Sequence, residues 1–135
     1  MAAASDETTV VVGIGLVWNG DKLAVGVRPA DSPLPGFSEF PGGKCDPGEL
    51  PMQAVVRECL EEMGVPVQVL GPRMQTTHRY PHGTIELHFF DCRAIGTGEL
   101  KPPFEWKTVM ELGALTFPEA NAALLEDLAA HPKPR

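Results

Sequence analysis

Positive charge is in short supply in this chain, where 11 Lys and Arg stand against 18 Asp and Glu for a formal net charge of −7. That balance excludes a surface built for non-specific binding to nucleic-acid polymers or anionic membranes, and a small anionic ligand would need cations to bridge it. Cysteine is scarce too. Cys45, Cys59 and Cys92 are odd in number and form no CxxC pair, which fits reduced thiols and leaves room for one bridge at most. They do not combine with His78, His82, His88 and His131 at a structural-zinc spacing, so no zinc site is expected. No apolar run approaches the roughly 20 residues of a membrane span. The opening MAAASDETT has neither a basic nor an apolar leader segment, and a cytoplasmic location is expected.

What is present suits one domain over residues 1–135, 43% of them hydrophobic, enough to bury a single core. Residues 8–18, TTVVVGIGLVW, form a β-branched apolar run, and Asn19-Gly20-Asp21 is a hairpin signal leading into a second strand at 22–28. Residues 29–48 hold five prolines and four glycines, which predicts a structured loop. A helix is predicted over 50–63, with Pro51 at its first turn and Gly64 ending it as a left-handed cap. Short strands follow at 67–70 and 73–80, and Pro81-His82-Gly83 turns into 84–95, where Ile85, Leu87 and Phe89 alternate with Glu86, His88 and Phe90. Residues 118–131 read as a closing amphipathic helix with Ala122, Leu125, Leu128 and Ala129 on its apolar side. The order implies an α/β fold, a mixed sheet with a helix on each face.

The unusual feature is the end of the first helix, R57-E-C-L-E-E-M-G64. At roughly 100° per residue, Glu61 and Glu62 lie about 60° to one side and about 40° to the other of Glu58, so three carboxylates share a face. Met52, Val56, Leu60 and Met63 supply an apolar stripe expected to pack on the sheet. Like charges three and four residues apart cost about 0.2–0.5 kcal/mol per pair, and here they crowd the helix terminus whose dipole already favours cations. A solvated acidic face would be the plain explanation. A hard divalent cation resolves the conflict better, because Mg²⁺ or Mn²⁺ takes one or two carboxylates and completes its shell with waters and substrate phosphates.

Together with the preceding loop, Gly43, Glu49, Arg57-Glu58-Cys59, Glu61-Glu62 and Gly64-Val65 resemble the signature of the Nudix hydrolases, with Cys59 where an aliphatic residue is usual and Leu50 where a capping Ser or Thr is common. Phe37-Ser38-Glu39-Phe40-Pro41-Gly42-Gly43-Lys44 and Phe117-Pro118-Glu119-Ala120-Asn121 look like the corresponding segments of the MutT-like branch, which acts on oxidised nucleoside triphosphates. The resemblance implies a Nudix-type α/β/α sandwich and a Mg²⁺-dependent enzyme, Mn²⁺ being a possible substitute, that cleaves a nucleotide such as 8-oxo-dGTP to the monophosphate and pyrophosphate. Glu58, Glu61 and Glu62 would hold the metal with the backbone of Gly43, Arg57 would position Glu49, and Gly42 with Gly43 would let the main chain run close to metal and phosphates.

Asn121 would read the base or else cap the last helix. Phe37 and Tyr80 would stack on the base or pack in the core, and Arg28 and Arg79 would meet phosphates or lie on the surface. Glu99 and Glu105 are weaker candidates for an additional metal carboxylate. Expected partners are small nucleotides, for a monomer or homodimer; other substrates (a dinucleoside polyphosphate or nucleotide sugar), a silent nucleotide-sensing domain and a plain metal-binding module are the alternatives.

Overall fold

The structure, a computed structural model, describes residues 8–135. The predicted hairpin is there, β1 at Thr9–Asn19 and β2 at Lys22–Val27, antiparallel, with Gly20 in the left-handed region at its turn (φ 63°). The proline-rich segment is a loop pinned to the sheet at two points, where β3, Ser38–Glu39, pairs with β2 and β4, Gly42–Lys44, pairs with β1. Helix α1 spans Pro51–Met63 and stops at Gly64 (φ 71°), whose N–H donates to the Leu60 carbonyl at 3.0 Å. Leu50 offers no cap, and the Gln53 side chain substitutes by accepting the Leu50 N–H at 2.8 Å.

The two strands expected at 67–70 and 73–80 are one strand, β5, Val67–Tyr80. Gly71 and Pro72 do not break it; register shifts there mark a bulge in its pairing with β6, Gly83–Ala94. This is possible because β5 is at the sheet edge, in the order β3-β2-β1-β6-β5, where a missing proline N–H is tolerated. β1 and β6 run parallel through the middle, which makes the sheet mixed. Beyond β6, two more elements had no counterpart in the sequence. β7, Glu105–Thr108, pairs with β2, and α2, Val109–Leu112, follows with Thr108 and Glu111 capping each other. The closing helix is shorter than expected: a 3-10 turn, Glu119–Asn121, precedes α3, Ala122–Ala130.

Period-two alternation divides the core between the two sheet faces. Leu16 and Trp18 of β1, Leu23 and Val25 of β2, and Leu87 and Phe89 of β6 join Leu124 and Leu128 of α3 on one side. Val17, Ala24, Phe90 and Cys92 join Val55, Cys59 and Met63 of α1 on the other.

Both predicted helix faces need correction. In α1 the buried residues are Ala54, Val55, Cys59 and Met63, whereas Met52, Val56 and Leu60 are 46%, 40% and 54% exposed. The apolar arc of α1 is wider than one stripe, and glycines on β1 select the part that docks. A Cβ on Gly13 would lie 2.3 Å from the Pro51 carbonyl oxygen, and one on Gly15 would lie 3.0 Å from Val55 and 3.2 Å from the Cys59 sulfur. Bare backbone at these two positions forms the trough that receives Val55 and Cys59. In α3 the inward pair is Leu124 and Leu128, with Ala122 and Ala129 exposed, because leucines bury more apolar surface than alanines.

Candidate active site

Docking α1 on Val55 and Cys59 turns Glu58 and Glu62 toward the loop that carries Gly42 and Gly43. The contact is close. The Gly42 N–H donates to Glu62 Oε1 at 3.0 Å, and a Cβ on Gly43 would lie 2.5 Å from Glu58 Oε2. Gly42 itself has φ 152° and no room for a side chain, since a Cβ would meet the Gly13 carbonyl oxygen at 2.3 Å. The two glycines therefore let main chain and carboxylates meet directly.

Arg57 is the only cation in contact with the cluster among the described residues. Its guanidinium grips Glu49 through both oxygens, each at 2.9 Å, and approaches Glu58 at 3.0 Å, Glu61 at 3.4 Å and Asp46 at 3.4 Å. It also donates to the Lys44 carbonyl at 3.1 Å, tying α1 to the loop. Held this way, Glu49 is brought down to a pKa of about 2. Glu62 gets no share of Arg57. Partial burial raises its pKa to about 7, the Gly42 N–H working against the rise and the charges of Glu58, Glu39 and Glu61 adding to it. One arginine thus partly neutralises Asp46, Glu49, Glu58 and Glu61, and Glu62 is left with an excess of negative charge around it.

The carboxylates are drawn to Arg57 and to Gly42, and among the described residues no three His, Cys, Asp or Glu side chains are already arranged around a metal position. The donor chemistry nonetheless fits a hard dication, with carboxylate oxygens meeting bare backbone at Gly43 where any side chain would intrude. Glu39 was missed as part of this site. It pairs with Arg28 at 3.2 Å, burial raises its pKa, and its charge bears on Glu62. Its place in Ser38-Glu39-Phe40-Pro41-Gly42, three residues before the glycine that binds Glu62, was the available signal.

Arg28 is held by Glu39 and donates from Nε to the Pro33 carbonyl at 2.7 Å, so it braces the loop. Phe37 is half-buried, and it is Phe40 that stacks on Phe117, with ring centroids 4.9 Å apart. Tyr80 is 50% exposed at the end of β5. With His78, Arg79, Glu119 and Glu126 it lines a cavity of about 590 Å³ between β5 and the start of α3, a volume in the range of small-ligand sites. Asn121 is only 8% exposed, yet among the described residues its amide has no hydrogen-bond partner, and each amide atom keeps some contact with solvent. Asn121 does not cap α3 with its side chain. Glu99 and Glu105 form no bond with the acidic cluster, and Glu105 pairs with Lys107 at 3.4 Å.

Comparison with known proteins decides the family. A family model described as a NUDIX domain matches residues 13–127. The chain belongs to the Nudix family. As a Nudix hydrolase it acts on phosphoanhydride bonds. The chain is 32% identical over 121 residues to the 8-oxo-dGTP diphosphatase of Escherichia coli (strain K12), covering 87% of this chain and 94% of that protein. It is 38% identical over 60 residues to the CTP pyrophosphohydrolase of the same organism, 44% of each chain. The solution structure of the E. coli ORF135 protein superposes with a TM-score of 0.78 at 27% identity, covering 93% of this Nudix chain and 92% of that one.

Proposed function

We propose that this Nudix hydrolase is a Mg²⁺-dependent nucleoside triphosphate pyrophosphohydrolase, with 8-oxo-dGTP first among its substrates and the nucleoside monophosphate and pyrophosphate as products. The observation that carries the reading is the charge imbalance at α1, where Glu58 and Glu62 press on the bare backbone of Gly42 and Gly43 and, among the described residues, Arg57 alone counters the cluster. Glu58, Glu61, Glu62 and the backbone of Gly43 would hold the cation. When bound, Mg²⁺ supplies charge neutralisation on the phosphates and lowers the pKa of water, so that hydroxide forms near neutral pH.

The protein's own residues do the positioning. Arg57 keeps Glu49 ionised and fixes the loop against α1, and one of the three helix glutamates accepts the proton of the attacking water. Asn121 presents a donor and an acceptor, both without a partner among the described residues, to a purine edge. Arg28, Phe37 and Tyr80 border the nucleotide.

A cytidine triphosphate is the second reading, favoured by the partial likeness to the CTP pyrophosphohydrolase and by a hairpin tip, Tyr80-Pro81-His82-Gly83, that carries no arginine. The test is pyrophosphate release from dGTP, 8-oxo-dGTP, dCTP, CTP and a dinucleoside polyphosphate, with Mg²⁺ and with chelator. Release from 8-oxo-dGTP ahead of the others, lost with chelator, is expected. Glu61→Gln and Glu62→Gln should each cut turnover by about two to four orders of magnitude. Full activity in both variants contradicts the roles given to them, and absence of turnover on every substrate favours a sensing domain.

A further inference from the structure

β5 shifts register against β6 twice, and the second shift leaves Arg73 without a partner residue on β6. Pro72 pairs with Phe90 and Met74 with Phe89, so Arg73 is the extra residue, and bulges commonly serve to redirect a side chain near a functional site. Its side chain is 0% exposed. The guanidinium donates to Asp127 at 2.8 Å from Nε, to Asp91 at 3.2 Å and to the Lys133 carbonyl at 2.7 Å, and also to the His131 carbonyl. Asp91, 1% exposed, is held in turn by Trp18 Nε1 at 2.9 Å and by the Arg135 backbone N–H at 3.0 Å. None of these residues touches the acidic cluster of α1. Their link to the site runs through α3, which Asp127 belongs to and which Asn121 immediately precedes.

Helix α3 has nine residues, too few to be stable alone, and its position depends on what it docks against. Leu124 and Leu128 hold it by burial, which is non-directional and tolerates sliding and rotation. The charge-assisted bond from Arg73 to Asp127 is directional. Asn121, a largely buried residue whose amide still reaches solvent and has no hydrogen-bond partner among the described residues, needs that definition if it is to read a base. We infer that the bulge-borne Arg73, through Asp127 and α3, is a positioning residue that sets the placement of Asn121 and thereby the base preference. This rests on the assignment of Asn121 as the base-reading residue.

The experiment compares kcat/KM for the best and the worst nucleoside triphosphate in the wild type, Asn121→Ala, Asp127→Asn and the double variant. Val67→Ala, which weakens the core at the start of β5, serves as a control for loss of stability alone. Asp127→Asn should lower the best-to-worst ratio about tenfold, mainly through KM for the best nucleotide, and should lower it no further in the Asn121→Ala background. Val67→Ala should leave the ratio unchanged. If Asp127→Asn is too unstable to assay, Asp127→Glu, which keeps the ion pair but displaces it, should show the same ratio loss in smaller measure. An unchanged ratio in Asp127→Asn, or an equal fall in both backgrounds, overturns the clasp alone. An unchanged ratio in Asn121→Ala overturns the base-reading assignment, and the clasp with it.

Discussion

Glu62 is the helix glutamate that Arg57 does not reach, and its titration has a consequence for stability. Its folded pKa of about 7 lies above the 4.5 of an exposed glutamate, so the folded state favours the protonated form. Stability from this group is therefore fully present below about pH 4.5 and is lost as pH rises through about 7. Glu49 has the opposite sign: its pKa falls from 4.5 to about 2, and its contribution is lost only as pH drops through that lower window. In the absence of divalent cations, thermal unfolding should therefore show Glu62→Gln raising Tm at about pH 8 and leaving it nearly unchanged at about pH 4.5. Added Mg²⁺ should raise the wild-type Tm at about pH 8 more than that of the variant. A variant no more stable than wild type at the higher pH would contradict the burial of an uncompensated carboxylate.

At the scale of elements, the glycines of β1 and β4 make two separable demands. Gly13→Ala places a methyl against backbone, the Pro51 carbonyl, and should lift the start of α1 from the sheet at a cost of about 1–3 kcal/mol, read by urea unfolding. Gly43→Ala places it against the far end of Glu58, a side chain that can swing aside, so stability should change little while activity falls. Similar unfolding midpoints for the two variants would contradict this division. Local chemistry had announced much of this architecture: Asn19-Gly20 its hairpin, Pro51 and Gly64 the limits of α1, Pro81-His82-Gly83 the turn before β6. The docking face of α1 was not legible, because Val55-Cys59-Met63 and Met52-Val56-Leu60 are comparable helical stripes and only the position of Gly13 and Gly15 across the interface separates them. The four-residue strand β7 carries too short a pattern to detect, and a Gly-Pro pair reads as a strand end unless the strand is known to lie at an edge.

For the whole molecule, two helices use opposite faces of one mixed sheet: α1 carries the acidic cluster, and α3 follows directly on Asn121. The acidic half of the candidate site could be proposed from sequence because its residues are close in the chain. The Arg73–Asp91–Asp127 assembly was not, since its members are 18 and 54 residues apart and none belongs to a local motif. The proposed activity depends on α1 seating a divalent cation. Electron paramagnetic resonance of Mn²⁺ titrated with the protein and a nucleoside triphosphate tests that most directly. The wild type should remove free Mn²⁺ from the spectrum well beyond what nucleotide alone removes, and the Glu58→Gln, Glu62→Gln double variant, still folded, should not. Equal depletion of free Mn²⁺ by the wild type and that variant would contradict it.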